Sequence, residues 1–315
     1  MTDNTMDDSM NVNPGDTIRF AGSGSFNLED RQMVQGFVDR YGIQSCEYNF
    51  VNLFSWQEVY NYRWFSYKGR LLIYDGVNHC MFMPLGEPFE PESLFALSHH
   101  LMNIMELSPN ICLATSAYID AYPRIRDFYT VAEDRDAAEY IYLAQSLVEL
   151  KGSKLHKKRN LVSQFKRRYP DFRILPINDN NRSAVKAFSR DLLLTREPVP
   201  RSLQEEYSAM EKTFAHWDDL KVQGLLLTVE DKIAAFSVFS RLNADTVNVH
   251  FEKANIAFKG AAQVINQETA LYLADKVKYI NREQDLGIAG LRQAKLSYEP
   301  RRLITPFLLK LKTNA

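Results

Sequence analysis

The sequence predicts a mixed α/β (α+β) protein of about two domains, on three observations. Short apolar and aromatic runs alternate with amphipathic stretches whose apolar residues recur every three or four positions. The chain has 315 residues, roughly twice an ordinary domain. Apolar residues make up 45% and charged residues 24%, which excludes a disordered, collagenous or coiled-coil protein over most of the length. Lys plus Arg (38) nearly cancels Asp plus Glu (39), so no global field draws the chain to nucleic acid or anionic lipid, and any anion site is local.

The elements follow in order. Asn61 to Tyr74 carries apolar runs around Lys68-Gly69-Arg70, a hairpin signal, and Cys80 to Met83 reads as a short strand. Leu94, Leu97, Leu101 and Ile104 place an amphipathic helix over Pro91 to Leu107. Strands are expected at Ile111 to Ala117 and Phe128 to Ala132. A basic helix, Lys154 to Arg168, is closed by Tyr169-Pro170, and helices follow at Asn178 to Leu194 and Ser202 to Phe214. Gly224 to Val229 and Ile233 to Arg241 form a hairpin turning at Glu230-Asp231-Lys232. Val247 to Glu252 alternates as a strand, Ala254 to Gly260 is a loop, and Ala261 to Tyr279 is a helix. A short helix from Ile288 to about Tyr298 stops at Pro300, and Leu303 to Leu309 is a final strand. The sequence shows no internal repeat.

Cys46, Cys80 and Cys112 are odd in number and widely spaced, which fits neither a disulfide framework nor a zinc site, so no disulfides are expected. No metal is expected: the only adjacent histidines, His99-His100, cannot share a helical face, and no His-Glu-x-x-His pattern occurs. Walker and Gly-x-Ser-x-Gly loops are missing too, which removes nucleotide-triphosphatase and serine-hydrolase readings. Residues 1–16 are acidic and Asn-rich without the order of a signal peptide, and read as a disordered tail. No run approaches the ~18 apolar residues of a membrane span, so a cytoplasmic protein is expected.

Strand, glycine-containing loop and helix make a phosphate-binding layout, because the first amides of a helix lack intrahelical partners and its dipole favours negative charge. Phe258-Lys259-Gly260-Ala261-Ala262 offers small residues and a cation there; a plain cap or turn is the competing account. The hairpin, the strand ending His250-Phe251-Glu252-Lys253, this loop, the long helix and a short helix ending in Tyr298 together resemble an acyl-CoA N-acyltransferase (GNAT) domain. Glu252-Lys253, Gly260, Asn281-Arg282-Glu283-Gln284-Asp285-Leu286-Gly287, Gly290-Leu291-Arg292 and Lys295-Leu296-Ser297-Tyr298-Glu299-Pro300 resemble the phosphatidylglycerol lysyltransferase C-terminal domain family. So do Leu150-Lys151-Gly152-Ser153-Lys154 and Lys158-Arg159-Asn160. The resemblance spans about Phe20 to Leu311 and implies two tandem GNAT-like domains, each a mixed, mostly antiparallel sheet flanked by helices. Their expected bounds are residues 17–150 and 151–315, with the donor site in the second. It also implies coenzyme A, an acyl-CoA or an aminoacyl-tRNA as co-substrate. The membrane-spanning part of the lipid synthases has no counterpart in this sequence.

Acyl transfer to an amine needs a base for the nucleophile, donors for the oxyanion and an acid for the leaving group. Glu252, at the end of its strand, is the candidate base, with a surface or ion-pair role as the alternative. Tyr298 shares the inward stripe Ile288, Leu291, Lys295, Tyr298 and is the candidate acid, or a packed side chain with a satisfied hydroxyl. On the basic helix, Lys158, Arg159 and Lys166 border the stripe of Leu155, Val162, Phe165 and Tyr169, while Lys157, Arg167 and Arg168 point away. The bordering three are candidates for donor phosphate, or part of a solvated face. Asn281, Arg282, Arg292 and Lys295 are candidate substrate-binding residues; Glu283 and Asp285 read as parts of a turn stitched by hydrogen bonds, with binding of a basic or amino acceptor as the alternative. The reading is an acyltransferase moving an acyl or aminoacyl group from coenzyme A or aminoacyl-tRNA to an amine. A noncatalytic RNA- or acyl-CoA-binding protein of the same fold is the alternative.

Overall fold

The computed structural model describes residues 21–195 and 198–312. The expected disordered tail, residues 1–16, lies outside the described residues. Two compact units divide the chain. One is built around Tyr60–Asp134 with the stretches ending at Ser25 and beginning at Pro306, and the other joins Phe26–Val59 to Arg135–Thr305. The boundary expected at residue 150 therefore falls inside the second unit.

The first unit holds a seven-stranded sheet in the order β1-β2-β3-β4-β5-β14-β6. Its strands are β1 (Gly22–Gly24), β2 (Tyr62–Tyr67), β3 (Arg70–Asp75), β4 (Cys80–Phe82), β5 (Ile111–Ala114), β14 (Phe307–Leu311) and β6 (Tyr129–Glu133). The second unit holds another, in the order β13-β7-β12-β11-β10-β9-β8. These are β13 (Arg302–Ile304), β7 (Glu139–Leu143), β12 (Tyr279–Gln284), β11 (Thr246–Ala254), β10 (Lys232–Arg241), β9 (Gln223–Val229) and β8 (Arg173–Pro176).

Each sheet is antiparallel except at one pair, β4 with β5 and β11 with β12. A parallel pair needs a crossover. Helices Pro91–Ile104 and Ala261–Leu273 supply the two crossovers. The topology is thus repeated without a sequence repeat, and both units are GNAT-like, mostly antiparallel mixed sheets with helices. The strand beside each parallel pair comes from elsewhere in the chain: β14 lies next to β5, and β7 next to β12. That is why residues 139–143 belong with the second unit.

Both expected hairpins form. They turn at Lys68-Gly69 and Glu230-Asp231, all four with positive φ, the geometry that matches strand twist in two-residue loops. Three expectations fail. The helix from Ala261 ends at Leu273, and Tyr279–Gln284 is strand β12 rather than helix end and turn. Its polar residues conceal it, because they find buried partners on other strands instead of solvent. The final strand is two: β13 joins one sheet and β14 the other, with Thr305-Pro306 between them, since proline has no N–H for a ladder. Cys80 and Cys112 form a disulfide, correcting the expectation of none. The crossover brings β4 and β5 side by side, so cysteines 32 residues apart in sequence lie 6.0 Å apart at Cα. Cys46 is free and buried.

One core in the second unit packs Phe165 and Val162 of the basic helix (His156–Arg168) with Val264, Ile265 and Leu273 of the crossover helix onto Leu227, Phe239 and Ile280. The first unit closes over Leu72, Leu94, Leu97, Tyr129 and Leu309. Among the described residues no helix is long and apolar enough to cross a membrane.

Candidate functional site

Among the described residues, the parallel neighbours in the second sheet pair from Thr246 with Tyr279 to Asn248 with Asn281. Beyond that, β11 runs to Ala254 and β12 to Gln284 without pairing to each other. Crevices at the carboxyl ends of parallel strands are where open α/β sheets place ligands. A β-bulge shapes this one: Val238 pairs with Phe251 and Phe239 with Val249, which leaves His250 as the extra residue. In a regular strand, residues 250 and 252 would face the same side. The bulge breaks the alternation, so His250 meets Asn52 while Glu252 meets Asn266 of the crossover helix.

Glu252 Oε1 accepts from Arg282 Nη2 at 2.8 Å, and Oε2 from Asn266 Nδ2 at 3.3 Å. Burial works most strongly against the Arg282 charge, but Glu252, Tyr142 and Tyr298 together outweigh it, so the guanidinium is held above its ordinary value. The Arg282 guanidinium carbon lies 5.2 Å from the Tyr298 ring centre and 5.9 Å from that of Tyr142. Lys158 Nζ stands 4.3 Å from the Tyr298 ring centre. Burial, with Arg282 beside it, lowers the Lys158 ammonium from its usual value. Burial pushes the Tyr298 hydroxyl up to about 12 against the pull of Arg282, so it stays protonated at neutral pH. Glu252, Arg282, Tyr298 and Lys158 thus converge. An open groove of about 450 Å³, lined by Glu149, Lys151, Gly152, Lys154, Tyr298 and Glu299, reaches Tyr298 from outside.

The remaining candidates divide. Gly260 begins the crossover helix at φ +96°, with no side-chain cap over the first amides. A Cβ there would lie 2.7 Å from Leu161 O and 3.0 Å from Phe165 Cβ, so the glycine lets the basic helix approach. Ala261 is buried in the core, Ala262 is half-buried, Phe258 packs edge-on to Tyr169, and Lys259 is exposed. Arg159 donates to the Leu150 and Gly152 carbonyls, tying down the loop before its own helix. Lys166 is exposed and pairs with Glu268 at 2.8 Å. Arg292 is committed to Asp285 at 2.8 Å and Asp136 at 2.6 Å. Asn281 donates to buried Glu139 at 2.5 Å. Lys295 is buried, and its Nζ donates to the Arg282 carbonyl at 2.6 Å and to that of Gln284. These carbonyls lie where β12 loses register with β7, so Lys295 stands in for missing ladder bonds and steadies the backbone of Arg282. Burial, then Arg282, lowers its ammonium to about 8.

Two buried polar groups on this unit escaped sequence reasoning. Glu139 accepts from Ser45 Oγ, the Cys46 amide and Asn281; burial raises its carboxyl above the usual range, against those hydrogen bonds. His250 bridges Ser240 Oγ at 2.8 Å to Asn52 Oδ1 at 2.8 Å and Glu283 Oε1 at 3.1 Å. The signal available was a polar residue inside an apolar strand, Glu139 before Tyr-Ile-Tyr-Leu and His250 within Val-Asn-Val-His-Phe. Among the described residues, no group of three or more His, Cys, Asp or Glu is arranged to hold a metal ion.

The fold defines a tandem GNAT-like chain. The family model described as "Phosphatidylglycerol lysyltransferase, C-terminal" matches residues 39–310, and the chain belongs to that family. It is similar to a conserved protein of unknown function from Bacteroides thetaiotaomicron, at 29% identity and a TM-score of 0.86, over 94% of this chain and 100% of that one. L-PGS from Bacillus licheniformis shares the fold at 13% identity and a TM-score of 0.59, covering 91% and 93%. FemX does so at 8% identity and a TM-score of 0.57, covering 93% and 98%.

Proposed function

We propose that this protein transfers an acyl or aminoacyl group from a coenzyme A thioester or an aminoacyl-tRNA ester to an amine. The observation that carries the reading is the convergence of Glu252, Arg282, Tyr298 and Lys158 where β11 and β12 part. The amine nitrogen attacks the donor carbonyl, a C–N bond forms, and the C–S or C–O bond to the donor breaks. Glu252 takes the amine proton, and Tyr298, protonated at neutral pH, gives one to the departing sulfur or oxygen. Arg282 spends Nη2 on Glu252 and has further N–H donors for the developing oxyanion. Exposed Lys259, beside the start of the crossover helix, suits the donor phosphates. Lys158 adds positive charge beside Tyr298.

Calorimetric titration with coenzyme A, acetyl-CoA and an aminoacylated tRNA tests this, comparing wild type with Lys259→Ala and Glu252→Gln. Weaker donor binding in Lys259→Ala with donor binding kept in Glu252→Gln supports the reading, and a folded protein that binds none of the three refutes it. A second reading has its own observation: both Glu252 oxygens are occupied, by Arg282 and Asn266, as in a structural ion pair. A noncatalytic RNA- or acyl-CoA-binding protein would bind a donor yet transfer nothing to any amine supplied.

A further inference from the structure

Three side-chain oxygens beneath the crossover helix have no hydrogen-bond partner among the described residues: Ser237 Oγ, Asn266 Oδ1 and Thr269 Oγ1. All three residues are sealed from solvent, Ser237 at 0%, Thr269 at 2% and Asn266 at 3% exposure. The topology brings them together. Ser237 pairs with Glu252 across β10 and β11, so the two side chains leave the same face of the sheet, about 5 Å apart at Cβ. Asn266 holds Glu252 Oε2, and Thr269 lies three residues further along the same helix face. The Tyr272 ring meets that of Phe239 at 5.8 Å, which sets the direction in which helix crosses strand. Thr269 therefore overlies the span from Ser237 to Phe239.

An unpaired buried hydroxyl or amide oxygen costs about 1–3 kcal/mol. Three along one seam between helix and sheet, in a region otherwise packed with Ala235, Phe239, Ile265 and Leu273, call for an occupant that both donates and accepts. It must also be small, because the surrounding residues are closed to solvent. Water meets both conditions, given two to four polar partners, and Glu252 Oε2 completes the set.

We propose that Ser237, Asn266 and Thr269 hold internal water against Glu252, and that this water positions the carboxylate from the side opposite Arg282. The three are positioning residues that act through Glu252. Their importance for turnover rests on the proposed role of Glu252 as base; the hydration itself does not.

Crystal structures of the full chain, resolved well enough to show ordered solvent, test the proposal on wild type, Thr269→Val and Thr269→Ser. Valine matches threonine in shape but cannot hydrogen-bond, whereas serine keeps the hydroxyl. The expected result is water bonded to Ser237, Asn266 and Thr269 in wild type and Thr269→Ser. In Thr269→Val the water is lost and Glu252 moves off its bond to Asn266. Hydroxyls turned onto backbone carbonyls with no solvent between them, or a Glu252 unmoved in Thr269→Val, overturn it. With a donor that turns over, Thr269→Val lowers kcat about tenfold at unchanged KM, and Thr269→Ser restores it. Because solvent is read in the resting protein, failure to bind any donor sinks the transferase reading and leaves the hydration result to be judged by itself.

Discussion

Replacing Gly260 by alanine separates two roles that one glycine could serve. If its purpose is to expose backbone to a phosphate, one added methyl costs the fold little. The geometry says otherwise. At φ +96° an L side chain is strained, by about 1–2 kcal/mol. The new Cβ would also meet Leu161 O at 2.7 Å and Phe165 Cβ at 3.0 Å. Leu161 O is a backbone carbonyl in mid-helix and cannot swing aside as a flexible side-chain tip does, so an overpacking cost of about 1–3 kcal/mol applies. Together the loss is about 2–5 kcal/mol. The basic helix must back away, carrying Lys158, one turn earlier, from the Tyr298 ring. Urea denaturation followed by circular dichroism reads the loss. Gly290→Ala is the control, since nothing lies within 4 Å of its Cβ position in an exposed helix, and it gains about 0.5–1 kcal/mol. A Gly260→Ala protein within about 0.5 kcal/mol of wild type would refute the packing argument. If the loss is as large as expected, weakened donor binding in a Gly260 variant reports on the fold, and Lys259→Ala becomes the cleaner probe.

Three other outcomes follow from the same reasoning. Burial would raise the Asp285 carboxyl, but hydrogen bonds from Arg292, Tyr140 and the Gly287 amide outweigh it and hold it far below the usual range. Its contribution is therefore complete above about pH 4 and fades as pH falls toward the folded value. Asp285→Asn costs about 2–4 kcal/mol at pH 7, less than a fully buried pair because Arg135 and Arg292 are partly exposed, and flattens the acid limb of the stability profile. Lys295 behaves oppositely to a lysine that gains a partner: its ammonium is lowered to about 8, so the unfolded chain binds more protons between about pH 8 and 10.4. The stability of wild type relative to Lys295→Met should rise across that window, by up to about 3 kcal/mol, and a flat difference in urea titrations would contradict the burial assigned to it. For the disulfide, a loop spanning a sequence separation of 32 residues is worth about 3–4 kcal/mol, so Cys80→Ser should lose that amount under oxidising conditions and nothing once dithiothreitol is present.

The candidate site was legible where one residue type at one place carries chemistry. Glu252, Arg282, Lys158 and Tyr298 stand out in the sequence as an acid at a strand end, a polar run, a cation beside an apolar stripe and a tyrosine on an inward helix face. Their convergence depends on a bulge at His250 that turns Glu252 away from its alternate neighbour, and no periodicity announces a bulge. Gly260 was legible as a special position, yet its reason lies in the basic helix about a hundred residues earlier. Arg292 and Asn281 looked like ligand-binding groups because a polar side chain without a visible partner reads as available; Asp285 and Glu139 were the partners.

Local propensity and periodicity determined the hairpins, the basic helix and the start of the crossover helix, because each is decided by neighbours within a few residues. Motif order was enough to indicate the family and the tandem fold. Tertiary structure decided what depends on distant partners. It placed β7 beside β12 and β14 beside β5, and made a strand of Tyr279–Gln284 despite its polarity. It also joined Cys80 to Cys112 and buried Ser237, Asn266 and Thr269 between one helix and the sheet it covers. The physical reason is common to all of these: a backbone or polar side chain is satisfied by whatever group the fold brings to it, and that group can come from anywhere in the sequence.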